Sequence, residues 1–512
     1  MHHTIKLLLG ALAIFSPTAL SAAEASKSRP QPNIVFVLID DLGWTGVGCY
    51  GNKIVPTPHI DRLAKDGAKF TAAYAMPQCS PTRFAFMTGQ WAARTNHTAV
   101  IFEKHGLINA RLIQPESNRK LDKQAMNVGR MLGQAGYHVG QVGKWHVDVA
   151  EKGPEKRDMG AAAFIAQWGW ELMRPEQDFK AEADDKNVME YTNAALHFLD
   201  THRDKPSLAY IAHNTVHTKV EAPERLVKKY ADKGYRRAGG PQPSLEDRPV
   251  ANFLAMIDYL DESIGVLMAG IKRLQLGRET LVIFMSDNGG LSRVWDNSPL
   301  RRGKGSEYEG GIRVPLLMHW PERIKAGQEI EKPVHVVDLF PSLMEISGGS
   351  AGGHRLDGKS LLPLVDGRGG FEREAIYMHA PLYIPHYNKT PSSLIRTDEF
   401  KLIYFHGDSV QEADFKKIIP GERYELYRIR EDISETRDLA ASLPEKTAEL
   451  KAKLHAWLKE TGAQMPVLNP NFDPAKWQDH TYSHVDHLGN IIARSDSAEA
   501  ADQEPKARKK KR

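Results

Sequence analysis

"PNIVFVLIDD", residues 32 to 41, decides the fold. Ile34–Ile39 is an unbroken apolar run rich in Ile and Val. Apolar side chains on both faces mark a strand buried on both, as in the central strands of a parallel sheet covered by helices. The run stops abruptly at Asp40-Asp41-Leu42-Gly43. A second run of this kind, Thr280–Met285 (TLVIFM), stops at Ser286-Asp287-Asn288-Gly289-Gly290. Tyr137–Val142, Ser207–Ala212 and Val314–His319 are further strand candidates, and helical periodicity falls between them at 57–67, 127–135, 187–201 and 252–274. This alternation predicts an α/β fold, a large mostly parallel sheet sandwiched by helices. Past residue 370 the pattern changes. Ala375–Tyr377, Ser393–Arg396, Lys401–Tyr404 and Glu422–Tyr427 read as short strands, followed by a helix at Glu445–Thr461. They predict a smaller C-terminal antiparallel sheet plus helix. The expected organisation is a main domain at 30–370, an α+β subdomain at 371–470 and an extended tail at 471–512, basic and disordered at its end.

The chain has 512 residues and a formal net charge of +4, but its last eight residues, PKARKKKR, hold six positive charges. The remainder therefore sums to −2, which is no footprint for nucleic acid. The N-terminus, MHHTIKLLLGALAIFSPTALSAAEA, sets Lys6 before an apolar run at Leu7–Phe15 and then small residues. That is the pattern of a signal peptide, here 1–23. The apolar run is shorter than the roughly 20 residues that span a bilayer. The expectation is an exported protein, periplasmic or secreted, without membrane insertion. Its only cysteines are Cys49 and Cys79. A disulfide between them is one reading of Cys79 in an exported chain.

In open α/β sheets, ligands bind beyond the carboxyl ends of the strands. The carboxylates of Asp40, Asp41 and Asp287 and the amide oxygen of Asn288 sit at two such ends. Brought together they repel unless a cation lies among them, and all-oxygen ligands suit Ca²⁺ or Mg²⁺. The alternative is two unrelated polar turns. In CSPTRFAFMTG, residues 79 to 89, Ser80 reads as a helix N-cap and Pro81 as the first helical residue. Cys79 then stands before a helix N-terminus, whose free N–H groups favour an anion, and Arg83 lies one turn in. A cysteine-phosphatase loop needs its arginine six positions after the cysteine; here the spacing is four. Gly143-Lys144-Trp145-His146 follows a strand candidate, and Lys144 and His146, two apart, share one side of an extended chain. A cation beside an imidazole suits an anionic substrate; a solvated lysine and a core histidine are the alternative. His217, in AYIAHNTVHTK, follows another strand, with His213 as a decoy. Lys304 lies in RRGKGSEYEGGIRVP, whose glycines permit close backbone approach to a ligand.

Together these segments resemble a known family. CSPTRFAFMTG matches the sulfatase signature C-x-P-S/T-R with its following T-G. The acidic pair after the first strand, GKWH, the "HT" histidine, SDNGG and GKGSEYEGGIRVP occur in the family's order. ELYRIREDISETRDLA, Glu425–Ala440, resembles its C-terminal stretch. Over about Asn33 to Leu458 the chain is similar to type I, cysteine-type, arylsulfatase-like sulfatases of the alkaline-phosphatase-like superfamily. It departs at Gly46, where many members carry an acidic residue; loop packing is expected to change there, not chemistry.

The resemblance implies that a separate maturation enzyme oxidises Cys79 to formylglycine, which removes the thiol and excludes a disulfide with Cys49. It implies one Ca²⁺ held by Asp40, Asp41, Asp287, Asn288 and the residue-79 side chain. It further implies that the hydrated aldehyde attacks the ester sulfur and that its second hydroxyl then expels sulfate. Arg83 and Lys144 would steady the nucleophile and metal site, and Lys144 and Lys304 would bind sulfate oxygens. His217 would protonate the leaving oxygen, and His146 would act as base in the elimination. The implied partner is a sulfated small molecule or saccharide, with a sulfated carbohydrate favoured. The insert Trp91–Leu121, with His97, Glu103, His105 and Arg111, is expected to border the entrance, as are Trp295 and Lys219. A phosphoester or phosphonate ester hydrolase of the same superfamily, and a non-catalytic sulfated-glycan binding protein, are the competing readings.

Overall fold

The computed structural model describes residues 31–101, 109–148, 159–238, 249–384, 387, 389–410 and 418–474, with two short paired strands at 482–485 and 491–495. The segment 1–23, Glu103, His105 and the end of the basic tail lie outside the described residues.

Asn33–Ile39 forms the central strand β1 of a nine-stranded sheet. The others, in chain order, are β2 (Ala68–Tyr74), β3 (His138–Gly143), β4 (Glu171–Leu172), β5 (Ser207–Ala212), β6 (Thr280–Ser286), β7 (Arg313–His319), β8 (Gln328–Ile330) and β9 (Val334–His335). Across the sheet the order is β9-β2-β7-β6-β1-β5-β3-β4, with β8 also paired to β2. Only β7 runs against its neighbours. The sheet is therefore mostly parallel, as expected. The sequence reading missed β2 and the two- and three-residue strands β4, β8 and β9; AKFTAAY is too alanine-rich to give an apolar run, and its pairing with β7, β8 and β9 makes it a strand.

The two faces of β1 feed two cores. Ile34, Phe36 and Leu38 pack with Phe84, Phe86, Met131 and Leu343, while Val35, Val37 and Ile39 pack with Ile60, Leu63, Leu254 and Leu267. Each such fully buried side chain contributes about 1.5–3 kcal/mol. The covering helices include Pro58–Asp66, Val128–Gln134, Val188–Thr201 and Ala251–Arg273, within a residue or two of the periodic segments. Asn127 caps the second of these, its side chain accepting from the Gly129 and Arg130 N–H groups.

Ile376–Ala380, Ser392–Arg396, Phe400–Phe405 and Arg423–Arg428 form the second sheet, antiparallel throughout, with the helix Pro444–Thr461 following. Ile376, Leu394, Leu402 and Leu454 join the same apolar core as Phe70 and Phe340 of the main sheet side. Among the described residues no helix is long and apolar enough to cross a membrane.

Strand register positions the chemistry. Ile39 pairs with Ser286, Leu38 with Ala212, and Ala212 with Gly143. The next residues along each strand, Asp40-Asp41, Asp287-Asn288, His213 and Lys144, therefore leave the sheet side by side at one edge. Because β7 runs the other way, the loop before it returns Lys304 to that same edge.

Candidate active site

Asp40, Asp41, Asp287 and Asn288 are fully buried at this edge. The Asp287 N–H donates to the Ile39 carbonyl and the Asp40 N–H to the Thr215 carbonyl, which stitches three strand ends together. Asp41 takes a left-handed backbone, φ 63°, that aims its own N–H at Asp287 Oδ1, 3.3 Å away. Asn288 Nδ2 donates to Asp41 Oδ1 at 2.7 Å.

Cys79 opens the helix Cys79–Thr88, every residue of which is buried. This corrects the expected start by two residues: Gln78, not Ser80, is the N-cap, and Cys79 itself is the first helical residue. Thr82 explains the shift, since its hydroxyl binds back to Met76 and its N–H to the Gln78 carbonyl. Both cysteines are free thiols. Burial pushes the Cys79 thiol up to about 11, against the pull of Lys144 and Lys304.

Three cations meet three carboxylates. Arg83 Nη2 and Nε donate to Asp287 Oδ2 at 2.8 and 3.1 Å, and its Nη1 donates to the Lys144 carbonyl at 2.7 Å. Lys144 Nζ lies 2.6 Å from Asp40 Oδ2, and Lys304 Nζ 2.8 Å from Asp41 Oδ1. Burial pushes the Asp40 carboxyl up, but Lys144, His217, Lys304 and Arg83 together hold it well below the usual range. Burial and the neighbouring Asp40 push Asp287 up to about 6, with Arg83 and Lys144 opposing. The Gly305 N–H donates to the Pro77 carbonyl at 2.8 Å, which ties the Lys304 loop to the approach of Cys79.

The histidines flank this cluster. His146, also left-handed at φ 57°, lies with Nδ1 3.1 Å from Ser80 Oγ. His217 donates from Nδ1 to the Thr218 carbonyl at 2.6 Å and presents Nε2 3.7 Å from Asp41 Oδ2. Burial and Lys304 lower its pKa, with Asp41 and Asp40 opposing. The decoy His213 is fully buried against Tyr191, and burial pushes it down to about 3.

The cluster fits a hard divalent cation. Asp40 Oδ1 and Asn288 Oδ1 are buried without a hydrogen-bond partner, a costly state for polar oxygens. Ligand atoms of Asp40, Cys79 and Asp287 lie within 4.8 Å of one another, as do those of Asp40, Asp41 and His217. Three carboxylates balanced by three cations leave room for a dication together with an anionic ester.

The expected entrance residues differ in burial and partners. His97 is buried and stacks on Phe84, ring centroids 3.6 Å apart. Arg111 is paired with Asp408. Trp295 is buried, its Nε1 donating to Thr45 Oγ1. Lys219 is exposed, and its carbonyl accepts from Lys186. The insert does reach the cluster through the Ile101 N–H, which donates to Ser80 Oγ. Gly46 packs on Leu42, whose Cδ1 would lie 2.6 Å from an added Cβ, so a larger residue there requires the Leu42 side chain to shift. Lys186, in the unremarkable stretch DDKN, touches the His217 turn with no motif to announce it.

Comparison with known proteins matches the chain to sulfatases over most of its length. The sulfatase family model matches residues 32–349, and the model for the C-terminal region of N-sulphoglucosamine sulphohydrolase matches 303–464. A sulfatase of Formosa agariphila is 28% identical, covering 91% of this chain and 95% of its own length. Human arylsulfatase A is 28% identical, covering 84% and 87%. A solved structure, BT4656 in complex with its substrate D-glucosamine-2-N,6-O-disulfate, superposes with a TM-score of 0.64 at 18% identity, covering 84% of this chain and 98% of that one. The alkaline-phosphatase-like sheet and its family signature thus coincide in one molecule. With the family model spanning well over half of its length, the chain belongs to the sulfatase family.

Proposed function

We propose that the enzyme cleaves sulfate monoesters of carbohydrates, with aryl sulfatase activity, using a formylglycine made from Cys79 and one Ca²⁺. Asp40, Asp41, Asp287, Asn288 and the residue-79 side chain would hold the ion. The observation that carries the reading is the pair of unpartnered buried oxygens, Asp40 Oδ1 and Asn288 Oδ1, beside a cysteine at a helix N-terminus. When present, the formylglycine supplies a hydrate nucleophile with a second hydroxyl for releasing sulfate, and the cation supplies positive charge to the reacting oxygens.

The chain's own residues do the rest. The first N–H groups of the helix Cys79–Thr88 give positive potential where the ester's oxygens sit. Lys144 and Lys304 offer sulfate the cationic charge that their carboxylate partners hold in place, and this counts most as charge develops. Arg83 fixes Asp287 and the Lys144 backbone in one clamp. His217, protonated on both ring nitrogens with Nδ1–H held on the Thr218 carbonyl, delivers its Nε2 proton to the departing oxygen. His146, beside Ser80, takes a proton in the release of sulfate.

Residues 30–370 would carry the chemistry and 371–470 would support it. The N-terminal segment 1–23 supports export to the periplasm or beyond. The glucosamine disulfate taken by BT4656 supports a sulfated sugar as substrate.

The test is made on protein expressed with a formylglycine-generating enzyme. The peptide containing residue 79 should react with a hydrazide, and 4-nitrophenyl sulfate should be cleaved faster than 4-nitrophenyl phosphate. A chelator should abolish activity, and Ca²⁺ should restore it better than Zn²⁺. Activity residing in protein whose Cys79 is wholly thiol, or a preference for the phosphate ester, overturns the proposal.

A further inference from the structure

Lys186 lies just before the helix Val188–Thr201, far in sequence from every motif of the site. Its ammonium donates to two backbone carbonyls, that of His217 at 2.5 Å and that of Lys219 at 2.8 Å. Among the described residues no carboxylate pairs with it. Lys186 is half-buried, and a lysine rarely gives up part of its hydration merely to serve carbonyl groups. Burial pushes its amine down to about 8 against the pull of Asp40, Glu221 and Asp41, so the ammonium is partly desolvated and sits in the field of the active-site carboxylates.

The backbone that delivers Lys186 is strained. Asp184, Lys186 and Asn187 all have left-handed φ angles, 59°, 50° and 62°. Such conformations are unfavourable for residues with a Cβ and gather at functional sites. The segment is held in this shape by the Asp185 side chain, which accepts from the Asn187 N–H.

The turn that Lys186 grips is the one that aims His217. The Val216 N–H donates to the Asp40 carbonyl, and the His217 N–H to the Asn214 carbonyl, so the turn is anchored on its N-terminal side. Beyond His217, the imidazole itself is tied to the Thr218 carbonyl. Lys186 clamps the carbonyls on either side of that link, at 217 and 219.

We propose that Lys186 is a positioning residue that acts on the reaction through His217, by locking the 217–219 backbone so that Nε2 faces the reacting ester. The inference rests on His217 serving the reaction, as in the proposed function, but not on which role it plays.

A double-mutant cycle tests it on matured, metal-loaded enzyme. Lys186→Met, His217→Ala and the double variant are compared in kcat/KM on 4-nitrophenyl sulfate and on a sulfated monosaccharide. Removing Lys186 should lower kcat by about 10-fold or more with KM little changed, since positioning matters in the reacting complex. In the His217→Ala background the same substitution should cost less than about 2-fold, because its target is gone. Lys186→Gln, which keeps an N–H donor, should recover part of the rate and covers the case in which Lys186→Met does not fold. Losses that multiply in the double variant overturn the inference, as does an unchanged rate in Lys186→Met. If His217→Ala itself leaves both substrates unaffected, the role of His217 fails first, and the inference falls with it.

Discussion

His217 presents Nε2 3.7 Å from Asp41 Oδ2 and keeps its Nδ1 proton on the Thr218 carbonyl. That tautomer leaves Nε2 as the atom that exchanges a proton with the ester. General acid help is worth roughly 10²–10⁴-fold when the leaving group is poor. His217→Ala should therefore slow the sulfur-attack step on a sugar sulfate far more than on 4-nitrophenyl sulfate, whose phenolate leaves unaided. His213→Ala should show no such selectivity. Single-turnover rates on the two esters check this, and equal slowing on both assigns the acid elsewhere. His97 makes a different residue-scale prediction. Burial pushes its imidazole down to about 4, so the folded protein keeps it neutral where the unfolded chain takes up a proton. The unfolded state then binds more protons between about pH 6.5 and 4, and stability is lost as pH falls through that window. Relative to His97→Gln, the wild type should lose about 1.4 kcal/mol per pH unit from 6.5 towards 4. Urea unfolding of both proteins at pH 7.5, 6.0 and 5.0 reads the difference, and a constant gap refutes it.

At the scale of elements, the site depends on loops that touch backbone to backbone. Gly289 follows the β6 acid-amide pair, and its N–H donates to the Gly311 carbonyl. A Cβ there would lie 1.9 Å from the Gly310 carbonyl oxygen, and no side chain can move aside to relieve it. Gly289→Ala should destabilise by about 3 kcal/mol through overpacking. It should also cost activity, because it parts the Asp287-Asn288 end from the loop that carries Lys304. Thermal melts with parallel rate measurements check both effects; a variant with native Tm and native rate contradicts this account. The helix Cys79–Thr88 shows the opposite arrangement, a rigid element buried on all sides that carries its reactive residue at the first turn. A helix here was legible in the sequence, but its start was not. Ser80-Pro81 is a good local cap signal, and the Thr82 hydroxyl bond to Met76 overrode it.

Across the whole molecule, the second sheet is joined to the active-site edge by buried charge. Lys401, fully buried, bridges Glu309 at 3.0 Å and Glu435 at 2.5 Å. Glu309 lies between the Lys304 loop and β7, and also accepts from Arg313 and the Tyr74 hydroxyl. Burial pushes Glu435 up to about 7, with Lys401 opposing. Removing one partner of a buried ion pair typically costs about 3–5 kcal/mol, because the other charge is left uncompensated. Lys401→Met should destabilise by that order, and adding Glu435→Gln should recover part of the loss. Denaturant unfolding of the single and double variants tests this; additive losses would show that the two residues act independently. The bridge also gives a physical reason for the C-terminal resemblance at Glu425–Ala440. That stretch carries Glu435, which caps the Glu309 N–H at 2.7 Å as well as meeting Lys401.

The sequence by itself determined the strand ends. Runs such as Ile34–Ile39 and Thr280–Met285, short and rich in β-branched residues, read as central strands, and the residues after a central parallel strand emerge at its carboxyl edge. The strand ends pointed to Asp40, Asp41, Asp287 and Asn288 as one group, with two unrelated polar turns as the alternative, and the resemblance added Lys144. The CSPTR stretch and the order of the motifs added Cys79, Arg83, His217 and Lys304. Tertiary structure alone decided the features that depend on distant backbone. It stacked His97 on Phe84 and paired each active-site cation with its own carboxylate. It also brought Lys186 to the His217 turn and Lys401 to Glu309 and Glu435. The charged contacts join residues tens to hundreds of positions apart, and no periodicity or local propensity encodes them.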